Sequence, residues 1–223
     1  LLQGKWAAAE GLVYEEFDPA IHVIRPFKIP PEWRRVRSID FGYTNPFVCQ
    51  WWAIDPDGRM FLYREVYFSR RIVSDHAKQI RDWSGGEKIE TSVSDWDAED
   101  RATLEREKIW TEPAFKAIEP GIEAVKMRLR VQEDGRPRLF IFEDCRIELD
   151  VELREAGLPT CTYEEVDGYS YPKPKENKEP DEEPIDKDNH GMDAMRYAVA
   201  YVDNIEGMIV ETSTDTATAV YEE

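Results

Sequence analysis

"VRSIDFGYTNPFVCQWWAIDPDGRMFLYREVYF", residues 36–68, consists of three apolar runs separated by two stretches of turn residues. The runs "VRSIDF", "FVCQWWAI" (47–54) and "MFLYREVYF" (60–68) are rich in β-branched and aromatic residues, which suit pleated, buried backbone. A Pro-Asp-Gly turn within "DPDG" (55–58) joins the second run to the third and is a strong hairpin signal. The stretch therefore predicts three successive antiparallel strands. The first of them ends on a carboxylate, Asp40, at the point where the chain turns.

Working outward, "RIVSDHAKQIRDW" (71–83) has helical spacing at Ile72, Val73, His76, Ile80 and Trp83, and Gly85-Gly86 ends it. "KIETSVSDWD" gives a fourth strand that runs out at Asp95. "AEDRATLEREKI" (98–109) and "IEAVKMRLRVQ" (122–132) read as helices, and "RPRLFIF" (136–142) as a fifth strand. "RIELDVELREA" (146–156) reads as an amphipathic helix closed by Gly157, and "NHGMDAMRYAVAYVDNI" (189–205) as a final helix with Asp188 or Asn189 as N-cap. This order predicts an α/β chain built on a mixed sheet with helices on its faces. Residues 1–35 read as a leader, because Pro30-Pro31 forces extended backbone. The domain proper spans 36–205, and 206–223 is a flexible tail. The Pro-, Lys- and Glu-rich stretch from Asp167 to Lys187 reads as a mobile loop before the last helix.

Composition restricts the functions open to the chain. Its 223 residues carry 47 acidic against 29 basic side chains, a net charge of -18, so the surface repels nucleic acid except at a local basic patch or through bound cations. Cys49, Cys145 and Cys161 are odd in number and lack CxxC spacing, which excludes a disulfide framework or a cysteine zinc site and suggests a reducing compartment. His22, His76 and His190 are too scattered for a His-rich metal cluster. No run approaches the roughly 20 apolar residues of a membrane span, and no signal peptide is visible. The chain opens "LLQGKWAAAEGLVYEEF" without a Met and reads as a piece of something longer.

Asp40, Asp95 and Asp193 each lie at the end of an apolar element, and strand order places Asp40 and Asp95 on neighbouring strands. Asp193 is in the first turn of the last helix, one turn after His190 and on the same face. Carboxylates converging from separate elements are what two-metal phosphodiester hydrolysis requires, with ions about 3.5–4 Å apart. Mg2+ and Mn2+ prefer such oxygen ligands. The second motif offers both Asp95 and Asp97, with Glu99 and Asp100 close behind. Asp95 ranks first as the residue directly after the strand. Asp97 points the same way only if the strand continues through Trp96.

Four segments, "GKWAAAEGLVYEEFD", "SIDFGYTNPF", "SDWDAEDRATLE" and "NHGMDAMRYAV", occur in this order and together resemble the C-terminal nuclease part of a tailed-phage terminase large subunit. The resemblance covers most of residues 4–203. It implies a ribonuclease-H-like sheet flanked by helices on both faces, and an endonuclease that cuts concatemeric double-stranded DNA with two Mg2+ or Mn2+ ions. It assigns Asp40, an Asp of "SDWDAED" and Asp193 as ligands, with His190 near them. It further implies an ATPase domain on the same polypeptide, a portal and a small terminase subunit as partners, no membrane, and the host cytoplasm during assembly.

Arg101, Arg106, Lys108, Lys126, Arg128 and Arg130 are candidate phosphate contacts, or else a solvated helix face. The Lys-Pro loop 172–178 precedes the third ligand and is placed to gate the cleft. Two other readings compete. "DFGYTN" is similar to the first phosphate loop of sugar kinases and actin-like ATPases, although no second loop follows. The other is an acidic docking module whose carboxylates only solubilise it.

Overall fold

Asp55 makes the central hairpin. Its Oδ1 accepts from the backbone N–H groups of Asp57 (3.0 Å) and Arg59 (2.8 Å), and Gly58 takes a φ of 78°. In the computed structural model, which describes residues 11–172 and 183–207, the first elements are α1 (Pro19–His22), β1 (Val23–Ile24), β2 (Arg34–Asp40), β3 (Phe47–Ile54) and β4 (Met60–Phe68). They are followed by α2 (Val73–Ser84), β5 (Thr91–Ser94), α3 (Ala98–Arg106), β6 (Glu112–Pro113) and α4 (Ile118–Leu129). The last are β7 (Leu139–Phe142), α5 (Val151–Glu155), α6 (Thr162–Glu165) and α7 (His190–Val202).

The strands form one mixed sheet in the order β1-β7-β4-β3-β2-β5-β6. β2, β3 and β4 pair antiparallel, as the three apolar runs predict, and β5 lies parallel to β2. β3 is buried at all eight positions, which explains why its sequence is apolar at every position but Gln50 instead of alternating. Ile39, Cys49 and Trp51 pack with Ala77, Ile80 and Leu104 of α2 and α3. Val36 and Trp52 share a second cluster with Val125 of α4 and Met195 of α7. Helices therefore cover both faces. α7 is buried almost all round, from Gly191 through Ala200 with Asp193 the exception, because its residues are apolar on most sides.

The structure departs from the sequence reading at the edges. The expected leader is part of the body from residue 12 onward: Val13, Tyr14 and Phe17 lie in the main core, and β1 pairs parallel with β7. A two-residue strand carries no alternation to read. The helix expected over 146–156 is only α5, because Asp150 is its N-cap, accepting from Glu152 N (3.0 Å) and Leu153 N (3.2 Å). α4 begins before Gly121, since Pro120 is tolerated in a first turn. β6 and α6 were not expected. All three cysteines are buried free thiols. Among the described residues no helix is long and apolar enough to cross a membrane. Residues 173–182 of the expected loop and 208–223 of the expected tail lie outside the described residues.

Candidate active site

β2 and β5 run parallel, so their C-terminal ends emerge side by side, and ligand crevices in α/β sheets form at such ends. Asp40 is the last residue of β2. The backbone N–H of Asp95 donates to Ile39 O at 3.1 Å, which extends the ladder one step and sets Asp95 beside Asp40. The first turn of α7 brings His190 and Asp193 over these strand ends. Asp40, Asp95, His190 and Asp193 all line one cavity of about 440 Å³.

The site is crowded with negative charge and largely closed to water at its base. The Asp40 carboxyl stands at about 6: burial raises it most, the hydrogen bond from His190 pulls it down, and the charges of Asp193 and Asp95 add to the rise. His190 Nδ1 lies 3.0 Å from Asp40 Oδ2. Burial opposes the His190 imidazolium, but the bond to Asp40 and that carboxylate's charge outweigh it, so the imidazole holds its proton more tightly than usual. Burial and the field of Asp40 and Asp193 keep Tyr197 a neutral phenol at the same cavity.

Two cations that the sequence reading missed sit among these acids. Lys116 Nζ is 2.5 Å from Asp95 Oδ1, and Arg196 Nη2 is 2.7 Å from Asp193 Oδ1. Arg196 was legible in principle, since it stands at i+3 from Asp193; Lys116 carries no such local signal. Asp97 is not brought into the cavity. Its side chain caps α3, accepting from Glu99 N (3.0 Å) and Asp100 N (2.9 Å), and it faces a neighbouring cleft with Asp95, Glu99 and Asp100. Asp97→Ala is therefore expected to cost about 1 kcal/mol as a lost cap. That lowers Tm by roughly 2–4 °C while leaving the response to divalent metal intact; a lost metal response in a calorimetric titration would return Asp97 to the ligand set.

Most of the expected phosphate contacts are engaged within the fold. Arg101 donates to Thr111 O (2.7 Å), and Lys126 is paired with Glu123 (2.9 Å). Arg128 Nε lies 2.9 Å from Asp203, and Arg130 is 3.1 Å from Glu16.

The donor set suits a hard divalent cation: three carboxylates and an imidazole from β2, the end of β5 and α7 line one cavity. As the side chains stand, no three His, Cys, Asp or Glu groups among the described residues are gathered closely enough to grip an ion. Asp95 and Asp193 are turned onto Lys116 and Arg196 instead.

No protein-family model matches the chain, and neither does any curated protein sequence. Solved structures do. The large terminase of a thermophilic bacteriophage superposes with a TM-score of 0.68 at 21% identity, over 89% of this chain and 46% of that one. The phage P22 large terminase nuclease domain gives 0.65 at 17%, over 87% of this chain and 93% of that domain. This is the fold of the large-terminase nuclease domains. A third such nuclease, from the thermophilic phage G20c with bound cobalt, gives 0.57 at 13% over 86% and 98%. The chain thus spans about half of a whole large terminase and nearly all of an isolated terminase nuclease. The mixed sheet and two-sided helix cover agree with the ribonuclease-H-like architecture that the resemblance implies.

Proposed function

We propose that the chain is a metal-dependent endonuclease of a viral DNA-packaging terminase, acting on double-stranded DNA with little sequence preference. The observation that carries this reading is the convergence of Asp40, Asp95 and Asp193, with His190, on one cavity at the ends of β2, β5 and the start of α7. The terminase-nuclease fold supports it, and so does a neighbour of that fold with bound cobalt. Mg2+ or Mn2+ is the expected ion, held by Asp40, Asp95 and Asp193.

Bound there, a pair of divalent ions supplies charge neutralisation and electrophilic activation of a phosphodiester. Asp40, deepest of the acids, would hold the ions together with Asp95 and Asp193, and its bond to His190 orients its carboxylate. With Nδ1 committed to Asp40, His190 has Nε2 left to accept or return a proton. Tyr197, held neutral, is a hydrogen-bond donor beside the carboxylates. An acidic site in a chain of net charge -18 repels DNA until cations reverse the local sign. Phosphate contacts then give affinity without reading bases. In this reading an ATPase domain of the same polypeptide, a portal and a small terminase subunit are the partners, in the host cytoplasm.

Two measurements test it together. Mn2+ is expected to raise Tm, with stabilisation of about 2.7 kcal/mol at a hundredfold excess over Kd. Supercoiled plasmid is expected to be nicked in Mn2+ or Mg2+ and spared in EDTA, with Asp193→Asn inactive although folded by circular dichroism. A protein that neither gains stability from metal nor nicks is an acidic docking module.

A further inference from the structure

Lys116 belongs to no helix or strand; it stands between β6 and α4 with its ammonium on Asp95. Its position is built into the fold by Arg196, which is only 3% exposed. Arg196 Nη1 donates to the carbonyls of Lys116 (3.1 Å) and Ala117 (3.4 Å), while Nη2 holds Asp193. Gly121 lets the guanidinium stem pass, because a Cβ there would come within 2.5 Å of Arg196 Cγ. One buried cation thus ties the third carboxylate to the loop that sets Lys116 over the second.

The two cations differ in what they can give up. Arg196 is enclosed and multiply bonded, so leaving would strand a buried charge. The Lys116 side chain is 43% exposed and makes one ion pair, of a kind that contributes little to stability. A lysine ammonium is a compact charge on a flexible stem, able to turn from one anion to another.

Resting on the nuclease reading, we infer that Lys116 is a displaceable counter-ion of the site. It neutralises Asp95 in the metal-free protein and competes with the divalent ion for that carboxylate. Once displaced, it engages a phosphate of the bound duplex. The position accounts for a site whose donors suit a metal yet are not gathered for one: part of the set is already neutralised.

The inference calls for effects of opposite sign from one substitution. In Lys116→Gln the midpoint of a Mn2+ thermal-shift titration is expected to fall several-fold, since the competitor is gone. Binding of a short DNA duplex in Ca2+, read by fluorescence anisotropy, is expected to weaken several-fold. The slope of log K against log salt should shrink by about one, as for one lost phosphate contact. Lys116→Arg, which keeps the charge, is expected to retain the duplex affinity. A Mn2+ midpoint that stays or rises in Lys116→Gln overturns the counter-ion, and an unchanged duplex affinity and salt slope overturn the phosphate contact. If the wild-type protein itself shows no Mn2+ response, the nuclease reading fails, and the inference fails with it.

Discussion

Asp40→Asn is expected to abolish metal-dependent plasmid cleavage, by more than about a hundredfold, and at the same time to make the metal-free protein more stable. Both results follow from the burial of this side chain. Only 6% of Asp40 is exposed, and it shares its cavity with Asp95 and Asp193. Its carboxyl is raised by burial from an ordinary 3.8 to about 6. A raised acid binds its proton more tightly folded than unfolded, so ionising it opposes folding. The opposition is full above about pH 6 and disappears as pH falls through 6 towards 3.8. Two units of such displacement correspond to at most about 3 kcal/mol. Asn keeps an oxygen for the bond with His190 and carries no charge. At pH 7.5 in EDTA a Tm gain of several degrees is expected, shrinking towards zero near pH 4. Divalent metal should reverse the order, stabilising wild type and sparing the variant. A lower Tm for Asp40→Asn in EDTA at pH 7.5 would show that the carboxylate is a structural strut and not a ligand held at a cost to stability.

That tension explains which parts of the site could be seen in the sequence. Asp40 and Asp95 are legible because each ends an apolar run, and β2–β5 pairing is the natural consequence of the strand order. Asp193 is legible because it shares a helix face with His190. Asp97 reads equally well until its surroundings are considered: "DAED" is also the signature of a helix N-terminus, and α3 uses it as one. Lys116 lies 21 residues from Asp95 with α3 and β6 between them, and it belongs to neither, so no local spacing joins the pair. The same holds for the fold. The central hairpin is local and its turn chemistry declares it, whereas β1 and β6 have two residues each and exist only because β7 and β5 present free edges. Arg35 and Arg37 look like surface residues in "RRVRSID" yet are nearly buried. Carbonyls of the 30–33 segment bind Arg35, and Ser92 and Ser84 bind Arg37.

Least legible of all is what holds the first turn of α7, and there a large loss of stability is expected from Glu165→Ala. On the α7 face of the sheet, Ser38, Gln50 and Glu65 stand opposite one another on β2, β3 and β4. Gln50 Nε2 donates to Gly191 O (2.9 Å) and to Thr162 Oγ1 (2.6 Å), and Thr162 N donates to Glu65 Oε2 (3.0 Å). Above this row Glu165 accepts from Tyr67 Oη (2.6 Å) and from Met192 N (2.9 Å). α7 has no side-chain cap of its own at Asn189; the carboxylate of α6 takes that place. The approach is close enough that a Cβ on Gly191 would fall 2.5 Å from Thr162 Oγ1 and 2.8 Å from Glu165 Oε2. Removing Glu165 leaves the Tyr67 hydroxyl and the Met192 N–H buried without acceptors, at about 1–3 kcal/mol each, and empties a packed site as well. A loss of roughly 3–5 kcal/mol is expected, seen as a Tm lower by about 10 °C. Glu165→Gln keeps one acceptor oxygen and removes a carboxyl that burial holds well above its usual range, so it should lose far less than Glu165→Ala. Because His190 and Asp193 ride on this turn, Glu165→Ala should also blunt the Mn2+ response in whatever fraction remains folded. A Glu165→Ala protein melting within about 2 °C of wild type would mean that α7 is held by its apolar face alone, and the polar row would then need another explanation.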